Sequence, residues 1–212
     1  MELAAHLIVA CLAYLLGSLP TGYLVARARG LDIRAVGSGN IGATNVFRSL
    51  GPPAGTFVLM VDGLKGWLAC VALAGWIHRL FGADPGLPAS ESLRVVAGIT
   101  AVLGHNYTCW LHFRGGKGIA TSAGVLAALV PYALLVIVGA WLATFLLSRF
   151  VSLASVIAAL TLPLAVWGTG GSLTLVLITG GLSALAVFRH RANLQRILAG
   201  TEPRFGQPRP KP

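Results

Sequence analysis

The chain alternates between long apolar runs and short polar connectors rich in glycine. The first run covers about Leu3–Ala26, the second about Ala54–Ile77 and the third about Leu93–Leu111. An apolar stretch of 29 residues then runs from Ile119 to Leu147. Two further runs, about Val151–Trp167 and Leu173–Phe188, flank a Gly-Thr-Gly-Gly connector. Runs near 20 apolar residues span a bilayer core of roughly 30 Å as helices. The pattern predicts an all-α integral membrane protein.

The 29-residue stretch fits one long tilted helix or a hairpin turning near Pro131. Charge chooses between them. Seven spans with the N-terminus outside put thirteen of the sixteen Lys and Arg residues on the cytoplasmic side. Only Arg79 and Arg94 then face outward, and Lys65 lies within a span. Six spans would send Arg149 and the six bases of the tail outside, against the positive-inside rule. The cost is a short first arm, since Ile119–Val130 covers only about 18 Å as a helix. The first charge is Glu2 rather than a basic n-region, so a cleaved leader is not expected.

Composition agrees. Hydrophobic residues make up 56% of the 212 and charged ones 10%, against about 25% in soluble proteins. The mean hydropathy is +0.79. One polytopic domain over 1–200 and a basic Pro/Gly-rich tail over 201–212 account for the length. The net charge of +10 does not point to nucleic acid, because the bases sit just outside apolar runs. There they flank spans and attract lipid head groups or anionic substrates.

The first connector contains Gly37-Ser38-Gly39-Asn40-Ile41-Gly42, a match to G-x-G-x-x-G. A dinucleotide fold needs a strand before such glycines, and here a span precedes them. The underlying physics still holds, because glycines let backbone N–H groups form a concave nest for an anion. Ser38, Asn40, Thr44 and Asn45 add neutral donors, and Arg48 adds a charge. The second connector, Arg114-Gly115-Gly116-Lys117-Gly118, joins a tight turn to a point charge and opens into an apolar helix. The positive end of that helix dipole also favours an anion. It is not a Walker A loop, because Gly118 follows the lysine. In the third segment His190 and Asn193 share one helical face, with Arg196 beyond them.

His105 lies in the expected cytoplasmic half of the third run and is a candidate general base. Asp62 and Lys65 lie three residues apart inside the second run, as a functional pair or a structural strut. Cys11, Cys70 and Cys109 lie in apolar stretches without a C-x-x-C pair and read as buried and inert. No metal or cofactor is expected.

The segments "GSGNIGATNVFRSLG", "FRGGKGIAT" and "HRANLQRILAGTE" resemble, in order, three cytoplasmic motifs of the PlsY family. These are the acyl-phosphate-dependent glycerol-3-phosphate acyltransferases of bacterial membranes. The likeness extends from Leu16 to Glu202. It implies acyl transfer from acyl phosphate to the 1-hydroxyl of sn-glycerol 3-phosphate, giving lysophosphatidate and phosphate. It also implies seven spans in the inner membrane, N-terminus outside and C-terminus inside. A phosphate acyltransferase acting on acyl-ACP would supply the donor. Ser38, Gly39, Asn40 and Thr44 are then expected to line the donor-phosphate pocket, closed by Gly115, Gly116, Lys117 and Thr121. Arg48, His190, Asn193 and Ser155 are expected on glycerol 3-phosphate, with Lys117 bridging both phosphates. Ser38, Asn40, Lys117 and His105 form the expected catalytic set.

No Ser-His-Asp set is visible, so direct attack by the glycerol hydroxyl is favoured over an acyl-enzyme. The proton acceptor is His105 or the substrate's own phosphate. The rival reading is an organophosphate transporter, whose anion site should lie near mid-membrane. A CDP-alcohol phosphatidyltransferase would need an aspartate cluster, whereas Asp32, Asp62 and Asp84 are widely separated.

Overall fold

The computed structural model describes residues 1–82 and 87–206. Asp84, Arg209, Lys211 and the end of the basic tail lie outside these residues. Every regular element among the described residues is helical. In chain order they are α1 (Glu2–Ser18), α2 (Thr21–Arg27), α3 (Ala43–Leu50), α4 (Pro52–Leu68), α5 (Ala74–Leu80) and α6 (Glu91–Asn106). Then come α7 (Ile119–Leu129), α8 (Pro131–Ser148), α9 (Val151–Gly168), α10 (Leu173–Arg189) and α11 (Arg191–Leu198). A single π turn at Ala69–Leu73 joins α4 to α5.

Four helical stretches are long and apolar enough to cross a membrane: Glu2–Arg27, Pro52–Leu80, Pro131–Ser148 and Val151–Gly168. The pair α10 and α11, bent by 52°, makes a fifth if it is one span. The expected third span is shorter than its apolar run, because α6 stops at Asn106 and a 3₁₀ turn follows at Cys109–Leu111. The 29-residue stretch does not form one helix. It breaks at Val130, whose φ of −143 and ψ of 65 are not helical, and Pro131 starts α8. Proline suits that first position because its missing N–H would be unsatisfied there anyway. The Ser90 and Ser172 side chains cap α6 and α10 by accepting from Leu93 N and Leu175 N.

The chain divides into two compact units, Met1–Leu129 and Val130–Pro212. In the first, α1 packs along α6, α4 along α7, and α3 against α4. Val9, Ala13, Ala97, Ala101 and Ile77 form one core, and Ile33, Val46, Val58 and Leu111 another. Small residues allow the close approaches. A Cβ on Gly66 would collide with the Thr121 carbonyl, one on Gly124 with Gly63, and one on Gly17 with Ala101. Membrane helices associate through such small-residue faces, where close packing replaces the hydrophobic effect. Arg94 donates to the Ala128 carbonyl and so satisfies one of the last carbonyls of short α7.

In the second unit α9 packs against α8 and α10. Arg149 ends α8 in the left-handed region, at φ 58. Its carbonyl accepts from Phe205 N at 2.8 Å, and Phe205 meets Phe145 edge to face. The stretch Thr201–Phe205, expected as part of a tail, is therefore folded onto its own unit. Cys70 is buried as expected, but Cys11 is exposed on the outer face of α1. Its helix turns Val9 and Ala13 inward instead.

Gly66→Val should destabilise the first unit by about 1–3 kcal/mol through overpacking against α7. Gly75→Ala has open space at the Cβ position and should be neutral or slightly stabilising. Thermal unfolding of both variants in detergent checks this.

Candidate active site

The first connector is tied together by Asn45, on α3. Its Nδ2 donates to the carbonyls of Ile33 (3.2 Å), Val36 (3.0 Å) and Asn40 (2.9 Å). Its Oδ1 accepts from Ser38 N at 3.0 Å. Asn45 is buried and fully engaged, so it is scaffold rather than the substrate donor suggested by sequence. Gly37 and Gly39 both take φ 67, a left-handed conformation that only glycine adopts without strain. Asn40 Oδ1 accepts from Gly42 N at 2.9 Å and closes a local turn just before α3. Ser38 is exposed, while Gly39, Asn40, Thr44 and Arg48 are partly exposed. Thr44 and Arg48 lie four residues apart on one face of α3.

Asp32 and Arg34 brace the start of this connector, Arg34 Nη2 lying 2.8 Å from Asp32 Oδ2. The hydrogen bonds from Arg34 hold the Asp32 carboxyl down at about 2. The Arg34 guanidinium also lies over the Tyr23 ring, 4.8 Å from its centroid.

The second connector packs onto the end of α6. Gly115 N donates to the Asn106 carbonyl at 3.1 Å and Gly116 N to the His105 carbonyl at 3.0 Å. A Cβ on Gly115 would strike the His105 carbonyl, and one on Gly116 the His105 ring. Gly118, at φ 79, lies against the Asn106 amide. The glycines therefore serve close packing, and the amides of Gly115 and Gly116 already have partners. Lys117 is half-buried on this turn. Thr121, one turn into α7, is buried against Gly66. Thr121 Oγ1 and Asn106 Oδ1 are buried without a hydrogen-bond partner among the described residues.

Behind this turn lies a buried polar cluster. Lys65 Nζ is 2.8 Å from Asp62 Oδ1, 3.0 Å from the Leu19 carbonyl and 2.9 Å from His105 Nδ1. Thr21 Oγ1 donates to Asp62 Oδ1 at 3.1 Å. Asp62, Lys65 and His105 are each no more than 5% exposed. His105 Nδ1 thus faces an ammonium, which disfavours its sequence-based role as a base.

In the second unit the third segment surrounds Glu202. Its Oε1 accepts from Ser152 Oγ and Asn193 Nδ2, both at 2.7 Å. Its Oε2 accepts from Arg196 Nε at 2.8 Å. Burial alone would raise the Glu202 carboxyl, but hydrogen bonds from Asn193, Ser152 and Arg196 outweigh it and hold the group below its usual range. His190 Nδ1 donates to the Ala186 carbonyl at 2.8 Å, so in the neutral ring Nε2 is the acceptor. Ser155 Oγ donates to the Val151 carbonyl and accepts from Trp141 Nε1. Sequence reading missed Glu202 as the residue that organises this segment. The available signal was a lone acid closing a basic motif in a chain with only six acids.

An all-helical chain with several long apolar helices and polar connectors carrying buried charge networks is a multi-pass integral membrane protein. The glycerol-3-phosphate acyltransferase family model matches residues 7–200. The glycerol-3-phosphate acyltransferase of Desulforudis audaxviator is 47% identical, with coverage of 97% of this chain and 98% of the relative. That of Sinorhizobium medicae is 42% identical, covering 94% and 93%. A crystal structure of PlsY (YgiH), an integral membrane glycerol 3-phosphate acyltransferase in its glycerol 3-phosphate form, aligns with TM-score 0.83 and 40% identity over 95% of this chain and 96% of that one. The lysophosphatidic acid form aligns with TM-score 0.81 and 39% identity, covering 95% of each. The chain belongs to the glycerol-3-phosphate acyltransferase family. It is an acyltransferase, which sets the transporter reading aside.

Glu202→Gln tests the carboxylate's electrostatic share. A carboxyl lowered on folding contributes stability above its unfolded pKa, and that stability is lost as pH falls through the folded value. Wild type should therefore lose stability on acidification more steeply than Glu202→Gln. Unfolding midpoints measured from neutral pH down to about pH 3, below the ordinary glutamate range of about 4.3, check the slope.

Proposed function

We propose that the chain transfers an acyl group from acyl phosphate to the 1-hydroxyl of sn-glycerol 3-phosphate. The products are lysophosphatidate and inorganic phosphate. The observation that carries this reading is its similarity to a solved acyltransferase with a glycerol 3-phosphate form and a lysophosphatidic acid form. These are the acceptor and the product of one acyl transfer.

In this reading the hydroxyl oxygen attacks the acyl carbonyl carbon, and the carbonyl–phosphate oxygen bond breaks. The proton of the hydroxyl passes to a phosphate oxygen of the substrates. An acyl phosphate is a mixed anhydride with a good leaving group, so orientation and charge stabilisation suffice. Ser38, Gly39, Asn40 and Thr44 form the donor-phosphate wall on the rigid Asn45-tied connector. Lys117 supplies charge from the second connector, and the packed Gly115 and Gly116 aim it. Thr121 Oγ1, buried without a hydrogen-bond partner among the described residues, is the hydroxyl left to answer a phosphate oxygen. We assign Arg48 to the phosphate of glycerol 3-phosphate. His190, Asn193 and Ser155 are assigned to its hydroxyl groups. Asn193 Nδ2 donates to Glu202, which fixes the orientation of its amide.

We place the protein in the bacterial inner membrane as seven spans, N-terminus outside, with α6 and α7 as short spans and the break at Val130 as a turn. The positive-inside distribution supports this orientation. A phosphate acyltransferase that makes acyl phosphate is the proposed supplier, and no nucleic acid is involved.

Purified protein given radiolabelled glycerol 3-phosphate and palmitoyl phosphate should form lysophosphatidate; no product under any donor condition would reject the proposal. Lys117→Ala should raise KM for a phosphate substrate by at least about tenfold, the scale of a lost charge-assisted contact of about 1.5–3 kcal/mol. Lys117→Arg should raise it less. Unchanged kinetics in both would remove Lys117 from the site.

A further inference from the structure

An ammonium group has three N–H bonds and no acceptor capacity. The three closest partners of Lys65 Nζ are Asp62 Oδ1, the Leu19 carbonyl and His105 Nδ1, at 2.8, 3.0 and 2.9 Å. Two of these are oxygens that can only accept. The third must accept as well, or an N–H of the ring would point at a cation. A neutral amine is the alternative, but it would leave the buried Asp62 carboxylate without a counter-charge. Asp62 Oδ1 itself lies 3.6 Å from His105 Nδ1, beyond hydrogen-bonding range. The ring is therefore neutral at Nδ1 and carries its proton on Nε2. That edge of the ring abuts Gly116, where a Cβ would overlap Nε2 and come within 2.9 Å of Cδ2. The carbonyl of the same residue accepts from Gly116 N.

We infer that Asp62 and Lys65 are positioning residues that fix His105 as an Nε2–H donor against the Gly115–Gly116 turn, and that His105 is not the proton acceptor of the reaction. The relay starts where α1 breaks. Pro20 cannot continue the helical ladder, and the Leu19 carbonyl turns to Lys65. Thr21, the first residue of α2, then anchors Asp62. Three segments separated in sequence, Leu19–Thr21, α4 and the end of α6, thereby set the position of the turn that carries Lys117. Gly116 must be glycine because the ring occupies the space of its side chain. The catalytic consequence rests on the reading of that turn as a phosphate cradle, whereas the tautomer assignment rests on the Lys65 geometry alone.

The test uses the full chain with ¹⁵N-labelled histidine in detergent or nanodiscs. Two-bond proton–nitrogen correlations should show one histidine with Nδ1 bare and Nε2 protonated across neutral pH, assigned by its loss in His105→Gln. The paired Asp62→Leu/Lys65→Met variant removes both charges together and so avoids an orphaned ion. It should mix the His105 tautomers and raise KM for acyl phosphate between about tenfold and about a hundredfold, the cost of a misplaced binding group. His105→Leu should lower kcat/KM on the same scale. His105→Gln should recover most of that loss, because its amide places an N–H where Nε2–H was. A general base would instead lose about 10²–10⁴ in kcat in both substitutions. A protonated Nδ1 in the wild type, or Gln no better than Leu, overturns the inference. Wild-type kinetics in both Lys117 variants would reject the cradle but leave the tautomer result standing.

Discussion

A lysine buried among apolar helices keeps its charge only if each N–H bond finds an acceptor and a carboxylate balances it. Lys65 meets both conditions, and the architecture around it is the means. One acceptor exists because α1 is broken at Leu19-Pro20, one because Asp62 lies a turn earlier on α4, and one because α6 ends beside them. Breaking such a buried pair from one side typically costs about 3–5 kcal/mol. The break before α2, the pairing of α4 and the length of α6 are thus a single energetic unit.

The end of α6 then dictates what the second connector can be. The last carbonyls of a helix lack intrahelical donors. Here the Gly115 and Gly116 amides satisfy the carbonyls of Asn106 and His105. This contact is possible only because neither glycine has a side chain to separate the strands of backbone. A glycine run that sequence suggests as an anion nest is, in its first half, a packing surface. In the proposed reading, charge for an anion comes from Lys117 and from the start of α7. The first connector follows the same logic through Asn45, which spends its whole amide on the loop and leaves Ser38 and Thr44 to face outward.

The apolar runs located the helices to within a few residues, because hydropathy in a membrane chain is a direct readout of environment. The polar connectors were equally visible as glycine and base clusters. The failures share one cause. The Asp62–Lys65 spacing is a local signal, but the third partner, His105, is 40 residues away. Ser152 and Glu202 are 50 apart, and nothing in either neighbourhood marks the other. The α6 terminus was placed too late because Tyr107–Leu111 is apolar enough to continue a span. It is the tight turn toward the glycines that ends it. Asn45 resembled a donor for substrate because composition cannot reveal that four backbone groups already surround it.

The chain has six acids, and its two buried ones among the described residues are both consumed by donors. Asp62 holds Lys65 and Thr21, and Glu202 holds Ser152, Asn193 and Arg196. A carboxylate engaged by two or three donors is a poor nucleophile and a poor base, since each hydrogen bond stabilises its charged form. Both acids act through the side chains they orient, Lys65 and then His105 in one unit and Asn193 in the other. With both acids committed to positioning, the proposed reaction has charge stabilisation as its main resource. That resource suits a substrate that arrives already activated, as a mixed anhydride does, because its leaving group needs no protein acid to depart.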